Sequence, residues 1–462
     1  METEQTSKLD YLLSRYNKPG PRYTSYPTAP VWPVVTDPSS YINQLKKLAR
    51  SAGGPISVYL HIPFCEDRCL YCACNVSVRA DHSVADRFLQ HLETEIKLVA
   101  DQLGFKPVVD SLHLGGGTPT YLSPEQIHRL MALLNHSFDI NFLSGELSVE
   151  IDPVVTTNDH LDALSDEGFQ RFSFGVQDFN PAVQEAVKRI QPFEDTYRQV
   201  SEARRRGAQS VNVDLIYGLP LQTAASFRET LKKTLLLDPD RLALFSYAHV
   251  PWIHKHQQVL DQYQRPEGLE KLSLLMDAKD FLESAGYRLI GMDHFAKPED
   301  ELSVALDEGR LRRNFMGYTT LQTETILAFG PSSIGFIGGE YVQNQKNLKQ
   351  WETGLSEGRL PIEHAYQMTT DDRIRQRAIM DIMVQFAVFY DDFKRLTGET
   401  FTDYFREELA GMDDLEADGL ITRFNDRLVV TDLGELFVRN VAMRFDRYLM
   451  GETGPRRFSQ TV

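Results

Sequence analysis

From residue 57 onward, short apolar runs alternate with longer stretches whose apolar positions recur every three to four residues. SVYLHI (57–62), DSLHLG (110–115), ELSVEI (146–151), RFSFGV (171–176), VNVDLIYG (211–218) and LALFSYA (242–248) have the length and residue content of strands. Between them, VADRFLQHLETEIKLVADQL (84–103), SPEQIHRLMALLNHSF (123–138) and ASFRETLKKTLLLD (225–238) carry helical periodicity. Such alternation predicts an α/β fold in which helical crossovers join a parallel sheet. The strands read as nearly continuous apolar runs, which predicts a sheet covered on both faces.

The two ends break this rhythm. Residues 1–50 read as a polar N-terminal arm, and NKPGPRYTSYPTAPVWP within it is too rich in proline for a helix. Beyond about 370, DRIRQRAIMDIMVQFAV predicts a long helix. Two helices, a short hairpin and a further helix follow, with turns at Asp418-Gly419 and Asn425-Asp426. That order is winged-helix-like. The reading divides the chain into an arm (1–50), a catalytic domain (51–365) and a smaller, mainly helical C-terminal domain (366–462). The helices of the last are acidic, which favours a packing or lid role over DNA binding.

Composition is that of an ordinary globular protein, 42% hydrophobic and 25% charged over 462 residues. The net charge of −16 argues against nucleic acid as a partner, and any anionic ligand would need cations concentrated locally. METEQTSKLDYLLSRYNKPG has no leader pattern, and no run is long and apolar enough for a bilayer. The expectation is a soluble protein of a reducing, cytoplasmic compartment, with no membrane partner.

All four cysteines lie in one window, as Cys65-x3-Cys69-x2-Cys72 followed by Cys74. One loop can wrap three thiolates around one centre, and an iron–sulfur cluster uses Cys thiolates, normally four. If a loop supplies three, the remaining iron is open to another molecule. The spacing resembles the signature of the radical S-adenosylmethionine (SAM) enzymes, in which SAM chelates that iron. A zinc ribbon would want two Cys-x2-Cys knuckles, and only Cys69/Cys72 has that form. Disulfides would need an oxidising compartment. Histidines are scattered singly, which argues against a His metal site.

Polar and glycine residues fall at the carboxyl ends of the expected strands, where the loops of a parallel α/β barrel meet. The Cys loop follows the first. Gly115-Gly116-Gly117-Thr118 follows the second, Glu150 ends the third and Gln177 follows the fourth. Asp214 lies in the fifth, and Tyr247-Ala248-His249 closes the sixth. Three glycines let backbone approach a ligand closely, and Ser123-Pro124 is a helix start. A lone strand-end acid such as Glu150 is as often a surface cap; beside these loops it suits the amino group or ribose of SAM. Arg204-Arg205-Arg206 reads as a helix C-terminus.

Several longer motifs extend the resemblance to almost the whole chain: RYNKPGPRYTSYPTAP (15–30), YLHIPFCEDRCLYCACN (59–75), LGGGTPTYLS (114–123), GVQDFN (175–180), NVDLIYGLPLQT (212–223), FSYAHVP (245–251), IGMDHFAKPEDEL (290–302) and RRNFMGYTT (312–320). Together they resemble the oxygen-independent coproporphyrinogen III oxidases of the radical SAM superfamily. The resemblance implies an incomplete (β/α)6 TIM-like barrel and a [4Fe–4S] cluster on Cys65, Cys69 and Cys72. It also implies two SAM molecules. Tyr59, Gly116, Glu150 and Ile334 would hold the cluster-bound one; Tyr71, Gly117, Thr118, Gln177, Arg189, Asp214 and Ala248 would surround the second. Pro331, near Ile334, departs from the family pattern. The implied reaction converts two propionates of coproporphyrinogen III to vinyls by a 5′-deoxyadenosyl radical route, giving protoporphyrinogen IX in haem biosynthesis. An electron donor of flavodoxin or ferredoxin type, an unidentified acceptor and a monomeric state are implied with it.

Two other functions share the fold: a haem-binding carrier, disfavoured by Cys74, and a haem-directed radical SAM methyltransferase. For the four substrate carboxylates, the basic groups near family motifs are Arg22, Lys297, Arg310, Arg312 and Arg313. Arg22, Arg312 and Arg313, with Cys74, are the residues expected to act on the substrate. The arm would fold over the barrel mouth and bring Arg22 and Tyr23 to a propionate.

Overall fold

The computed structural model describes residues 2–51, 54–449 and 458–461. Its main sheet contains six parallel strands in sequence order: β1 (Ile56–Ile62), β2 (Val108–Gly116), β3 (Glu146–Ile151), β4 (Arg171–Gln177), β5 (Ser210–Tyr217) and β6 (Arg241–Ser246). Helices Val84–Leu103, Pro124–Ser137, Asn158–Asp166, Phe193–Arg205 and Ala224–Leu236 make the crossovers. Three of these starts are fixed chemically. Ser123, Thr157 and Thr223 each close a capping box, and Pro124 occupies the first turn, where its missing N–H costs nothing.

Short antiparallel strands flank this arc. β7 (Arg288–Gly291) and β8 (His294–Ala296) form a hairpin whose second strand lies against β6. On the other side, β9 (Ile326–Phe329) runs parallel to β1, and β10 (Ile334–Ile337), β11 (Glu340–Asn344) and β12 (Ile362–Gln367) continue antiparallel. The sheet is therefore an open, incomplete barrel, since closing the eight-stranded form would need further parallel strands.

The expected two-sided apolar cover holds only for the outer face. Outward residues such as Leu112, Leu114, Val149, Phe172, Phe174 and Val213 are buried under the helices. The inner face of the same strands carries Tyr59, His113, Ser148, Glu150, Ser173, Asn212 and Asp214. They satisfy one another. His113 Nδ1 lies 2.7 Å from Ser148 Oγ, and Asn212 Nδ2 donates to Ser173 Oγ and Asp214 Oδ1, both at 2.8 Å. A polar interior suits a barrel that surrounds a ligand rather than a packed core.

The N-terminal segment is more ordered than a proline-rich arm suggests. Helices Glu2–Tyr16 and Ser39–Arg50 bracket the proline stretch, and Leu9, Leu12, Leu13 and Tyr16 are buried along one helical stripe. The C-terminal region begins with helix Thr370–Gln385. A three-stranded antiparallel sheet follows (Ala387–Phe389, Arg427–Val430, Ile421–Arg423) with short helices around it. The two ends of the chain pack together. Tyr16 and Tyr23 donate to Asp418 and Asp446 at 2.6 and 2.9 Å, and Gly20 N–H to Ser459 O at 3.0 Å. No helix among the described residues is long and apolar enough to cross a membrane.

Candidate functional site

β1 runs directly into the cysteine loop. Phe64–Cys65 pairs with Ser77–Val78, which closes the loop at its base. Cys65, Cys69 and Cys72 are half-buried free thiols, and Cys74 is exposed. Neighbouring elements hold the loop by its backbone. Leu70 N–H donates to Val187 O (2.9 Å), His256 Nε2 lies 2.8 Å from Cys72 O, and Gln257 Nε2 bonds both Tyr71 O (3.0 Å) and Ala248 O (3.2 Å). Arg189 binds the side chain of Cys69 (Sγ, 3.5 Å), that of Asp152 (Oδ2, 2.9 Å) and the carbonyl of Gly175 (2.7 Å). The loop is thus fastened to β4 and to the segment after β6.

These thiols fit a cluster. The donor set is soft, all sulfur and confined to one loop. Burial pushes the Cys65 thiol up to about 11, while the Cys74 hydrogen bond outweighs burial and brings Cys72 down to about 7. Among the described residues no three His, Cys, Asp or Glu side chains converge tightly enough to ligate one ion. A cluster asks something different, because each thiolate bonds its own iron.

The glycine run ends β2 and faces this loop. The close approaches it permits are to the protein's own groups. A Cβ on Gly115 would meet Glu150 Oε1 at 3.0 Å, one on Gly116 the His61 ring at 2.7 Å, and one on Gly117 Phe64 O at 2.6 Å. Gly117 and Thr118 donate their N–H groups to Ile62 O and Phe64 O, both at 2.8 Å, and Thr118 Oγ1 reaches Cys65 Sγ at 3.5 Å. The run therefore locks the cysteine loop onto the barrel rim.

Glu150 stands opposite. Its Oε2 accepts from Gly116 N–H at 3.0 Å, and Oε1 lies 3.6 Å from His113 Nε2. His113 stacks on Tyr59 (5.8 Å, 16°), whose hydroxyl lies 3.1 Å from His61 Nδ1. Glu150 is enclosed by barrel walls, yet 44% of its side chain stays accessible because it borders open space. Burial pushes its carboxyl up, but His113 and the Gly116 N–H outweigh this and hold it below the usual value. Asp214 goes the other way: burial and then the Glu150 charge push it up to about 7. Two carboxyls in one barrel are thereby pushed in opposite directions. Gln177 ends β4 in a left-handed conformation (φ 67°), beside Arg189 around Gly175.

Cations gather at the β5–β6 end. Arg22 ion-pairs with buried Asp293 and lies 5.6 Å over the Phe245 ring. Arg313 lies 5.1 Å over Tyr318, its Nη1 2.8 Å from Met292 Sδ and its Nε without a partner among the described residues. The other expected cations sit elsewhere. Arg312 is exposed and 3.6 Å from Glu324, Arg310 pairs with Glu308, and Lys297 with Asp238. Tyr23, expected beside a propionate, is buried with its hydroxyl on Asp446. Ile334 is half-buried on β10 in an apolar cluster with Trp32, Phe315 and Tyr341.

Sequence reasoning passed over several residues here. His61 and His113, dismissed as scattered, share the inner face with Tyr59. The readable signal was a polar residue at alternate positions of an otherwise apolar strand. Arg439 is the clearest omission. It is buried, bonds only the carbonyls of Gly20 (3.3 Å) and Gln460 (2.6 Å), and has no acid within 4 Å among the described residues. Burial and the Arg22 charge pull its guanidinium down to about 9. With Arg22, Tyr217, Ser246 and Asp293 it lines a cavity of about 50 Å³, room for a carboxylate but not for a ring system.

Comparison with known proteins bears on the family and the fold. The model of the Radical SAM superfamily matches residues 59–234, and that of the HemN C-terminal domain matches 368–437. The chain is 41% identical over 455 residues to the oxygen-independent coproporphyrinogen III oxidase of Synechocystis sp., covering 98% of this chain and 97% of that protein. It is 42% identical over 451 residues to that of Escherichia coli, covering 98% of each. The solved coproporphyrinogen III oxidase (HemN) from Escherichia coli, described as a radical SAM enzyme, superimposes with a TM-score of 0.87. That match covers 93% of this chain and 98% of the other at 42% identity.

Proposed function

The chain belongs to the oxygen-independent coproporphyrinogen III oxidases of the radical SAM superfamily, and from that premise we propose how its barrel mouth divides the work. It is an oxidoreductase of haem biosynthesis, and its family uses a [4Fe–4S] cluster and SAM. The substrate is coproporphyrinogen III, two of whose propionates are oxidatively decarboxylated to vinyls. When bound, the cluster and SAM supply one-electron cleavage of a sulfur–carbon bond and, through it, a carbon radical able to take hydrogen.

Cys65, Cys69 and Cys72 hold the cluster; the observation that carries this is their shared loop, fastened to the rim by Arg189, Gln257 and the glycine run. Glu150, ionised and half-accessible, binds the amino group of the cluster-bound SAM, with Tyr59 and Gly116 beside it and Ile334 at the edge. A second SAM lies toward Tyr71, Gly117, Thr118, Gln177, Arg189, Asp214 and Ala248. The opposite protonation tendencies of Glu150 and Asp214, on β3 and β5, support two subsites. Arg22 and Arg313 receive propionates at the β6 end of the barrel, beside the β7–β8 hairpin, and Cys74 stands free of the ligand set on the same loop. The surface pairing of Arg312 with Glu324 leaves it a secondary role at most. A flavodoxin- or ferredoxin-type donor supplies electrons, a separate acceptor removes them, and the chain works as a cytoplasmic monomer.

The test is an anaerobic assay of the reconstituted protein with coproporphyrinogen III, SAM and a reductant. Protoporphyrinogen IX, CO2 and 5′-deoxyadenosine are the expected products. SAM cleavage with an unchanged or methylated tetrapyrrole would overturn the reading.

A further inference from the structure

The Arg79 N–H donates to Cys65 O at 2.9 Å, so the back of the cysteine loop is itself a surface. A groove of about 730 Å³ opens there, walled by Arg79, Arg87, Lys346 and Lys349 and floored by Asn75 and Ser77. Asn75 ties its two sides together, donating to Lys346 O at 2.9 Å while its own carbonyl lies 2.9 Å from His61 Nε2. The acids nearby are engaged. Glu352 pairs with Arg87 at 3.2 Å, and Glu363 accepts from the Lys346 backbone N–H at 3.3 Å. Arg79, Lys346 and Lys349 are exposed and have no acid within 4 Å among the described residues. In a chain of net charge −16, three unpaired cations on one groove are a departure that solubility does not require.

We infer that this groove docks a small acidic one-electron carrier protein, which delivers electrons through the Cys65 side of the loop. The inference rests on the cluster assignment above. The step is a simple transfer: the carrier's reduced flavin loses one electron and the cluster gains it, with no bond made or broken in this chain. Charge complementarity suits the encounter, because cations at the rim of an interface steer an acidic partner and set its salt dependence. The net charge of −16 opposes non-specific approach by the same partner.

The test uses the cluster-loaded full chain, an acidic flavodoxin as probe, and the double variant Lys346→Glu/Lys349→Glu. Binding is read by calorimetry over a salt series, and cluster reduction by its visible and EPR signals with either reduced flavodoxin or dithionite. The expected result is affinity at least about fivefold weaker at low salt with a flatter salt dependence. Flavodoxin-driven reduction slows while dithionite-driven reduction is unchanged. Lys232→Glu, at an exposed helical site paired with Glu229, controls for global charge and should leave binding as in the wild type. Equal binding and reduction by the double variant, or an equal loss in Lys232→Glu, overturns the docking site. A wild-type chain that takes up no reducible cluster instead overturns the reading beneath it.

Discussion

The α-carbon of Gly116 sits so close to His61 that a Cβ there would stand 2.7 Å from the imidazole ring. The same glycine has φ 114°, which side-chain-bearing residues rarely adopt, and its N–H is held by Glu150. Gly116→Ala therefore meets both strain, roughly 1–3 kcal/mol, and a ring that cannot retreat because His61 Nε2 is bonded to Asn75 O. The expected outcome is a folded but less stable protein with weakened SAM affinity, measured by thermal melting and equilibrium dialysis. Wild-type affinity would show that the rim tolerates a displaced His61.

Glu150 offers a cleaner separation of structure from binding. Glutamine keeps an acceptor for the Gly116 N–H but loses the charge that His113 helps to sustain. Glu150→Gln should keep iron content and stability near wild type while SAM affinity falls about tenfold or more, the scale of a lost charged hydrogen bond. Glu150→Ala should lose more. Undiminished 5′-deoxyadenosine formation in both variants would remove Glu150 from the SAM site.

The four cysteines are expected to divide three to one. Cys65→Ala, Cys69→Ala or Cys72→Ala should abolish the cluster, since no other thiol in the chain can replace the missing ligand. Cys74→Ser should keep it, because Cys74 contributes through its hydrogen bond to Cys72, which serine can imitate. Iron and sulfide counts on each reconstituted variant decide the matter. An intact cluster in the Cys69 variant would refute the ligand set.

Much of this was legible in the sequence for a physical reason. The six parallel strands and their crossover helices announce themselves because outward residues such as Val149 and Phe172 must be apolar to meet the helices, whatever the inner face does. Strand-end residues follow from topology. What escaped depended on tertiary proximity. Arg22 and Arg439 lie far apart along the chain, and the short helix Val438–Ala442 gives no sign of what it faces. The short strands β7–β12 escaped because runs of three to six residues, several of them as polar as EYVQN and IEHAYQ, carry too little apolar pattern to stand out from loops. The helix Glu2–Tyr16 was readable in Leu9, Leu12, Leu13 and Tyr16, but the prolines after it obscured that stripe.

The cations at the β6 edge should separate in function. Arg22 and Arg313 lie around Asp293 and Tyr318, whereas Arg312 pairs with Glu324 at the surface. Arg22→Ala and Arg313→Ala should raise the KM for coproporphyrinogen III about tenfold or more, as expected for a charged hydrogen bond lost. Arg312→Ala should change it less than threefold, in keeping with an exposed pair. SAM cleavage without substrate should persist in all three. A larger effect at Arg312 than at Arg22 would place the propionates along the Arg312–Asn314 strand instead.

Asp214 makes the stability of the barrel depend on pH in a direction that can be worked out. Its carboxyl is pushed from 3.8 in an unperturbed chain up to about 7, by burial and then by the Glu150 charge. A group whose folded pKa is raised contributes stability that is complete below its unfolded value and is lost as pH rises through the folded one. For Asp214 the loss therefore falls between about pH 4 and pH 7. Asparagine is isosteric, keeps an acceptor for Ser173 or Asn212, and does not ionise. The Tm of Asp214→Asn minus that of the wild type should thus become more positive between pH 5 and pH 8. The expected change is at least about 2 °C, roughly what 1 kcal/mol produces in a domain of 150–250 residues. The measurement is made without SAM, so that ligand binding does not contribute. A difference that stays flat over this range would mean that Asp214 ionises at its ordinary value, with its charge met by solvent inside the open barrel.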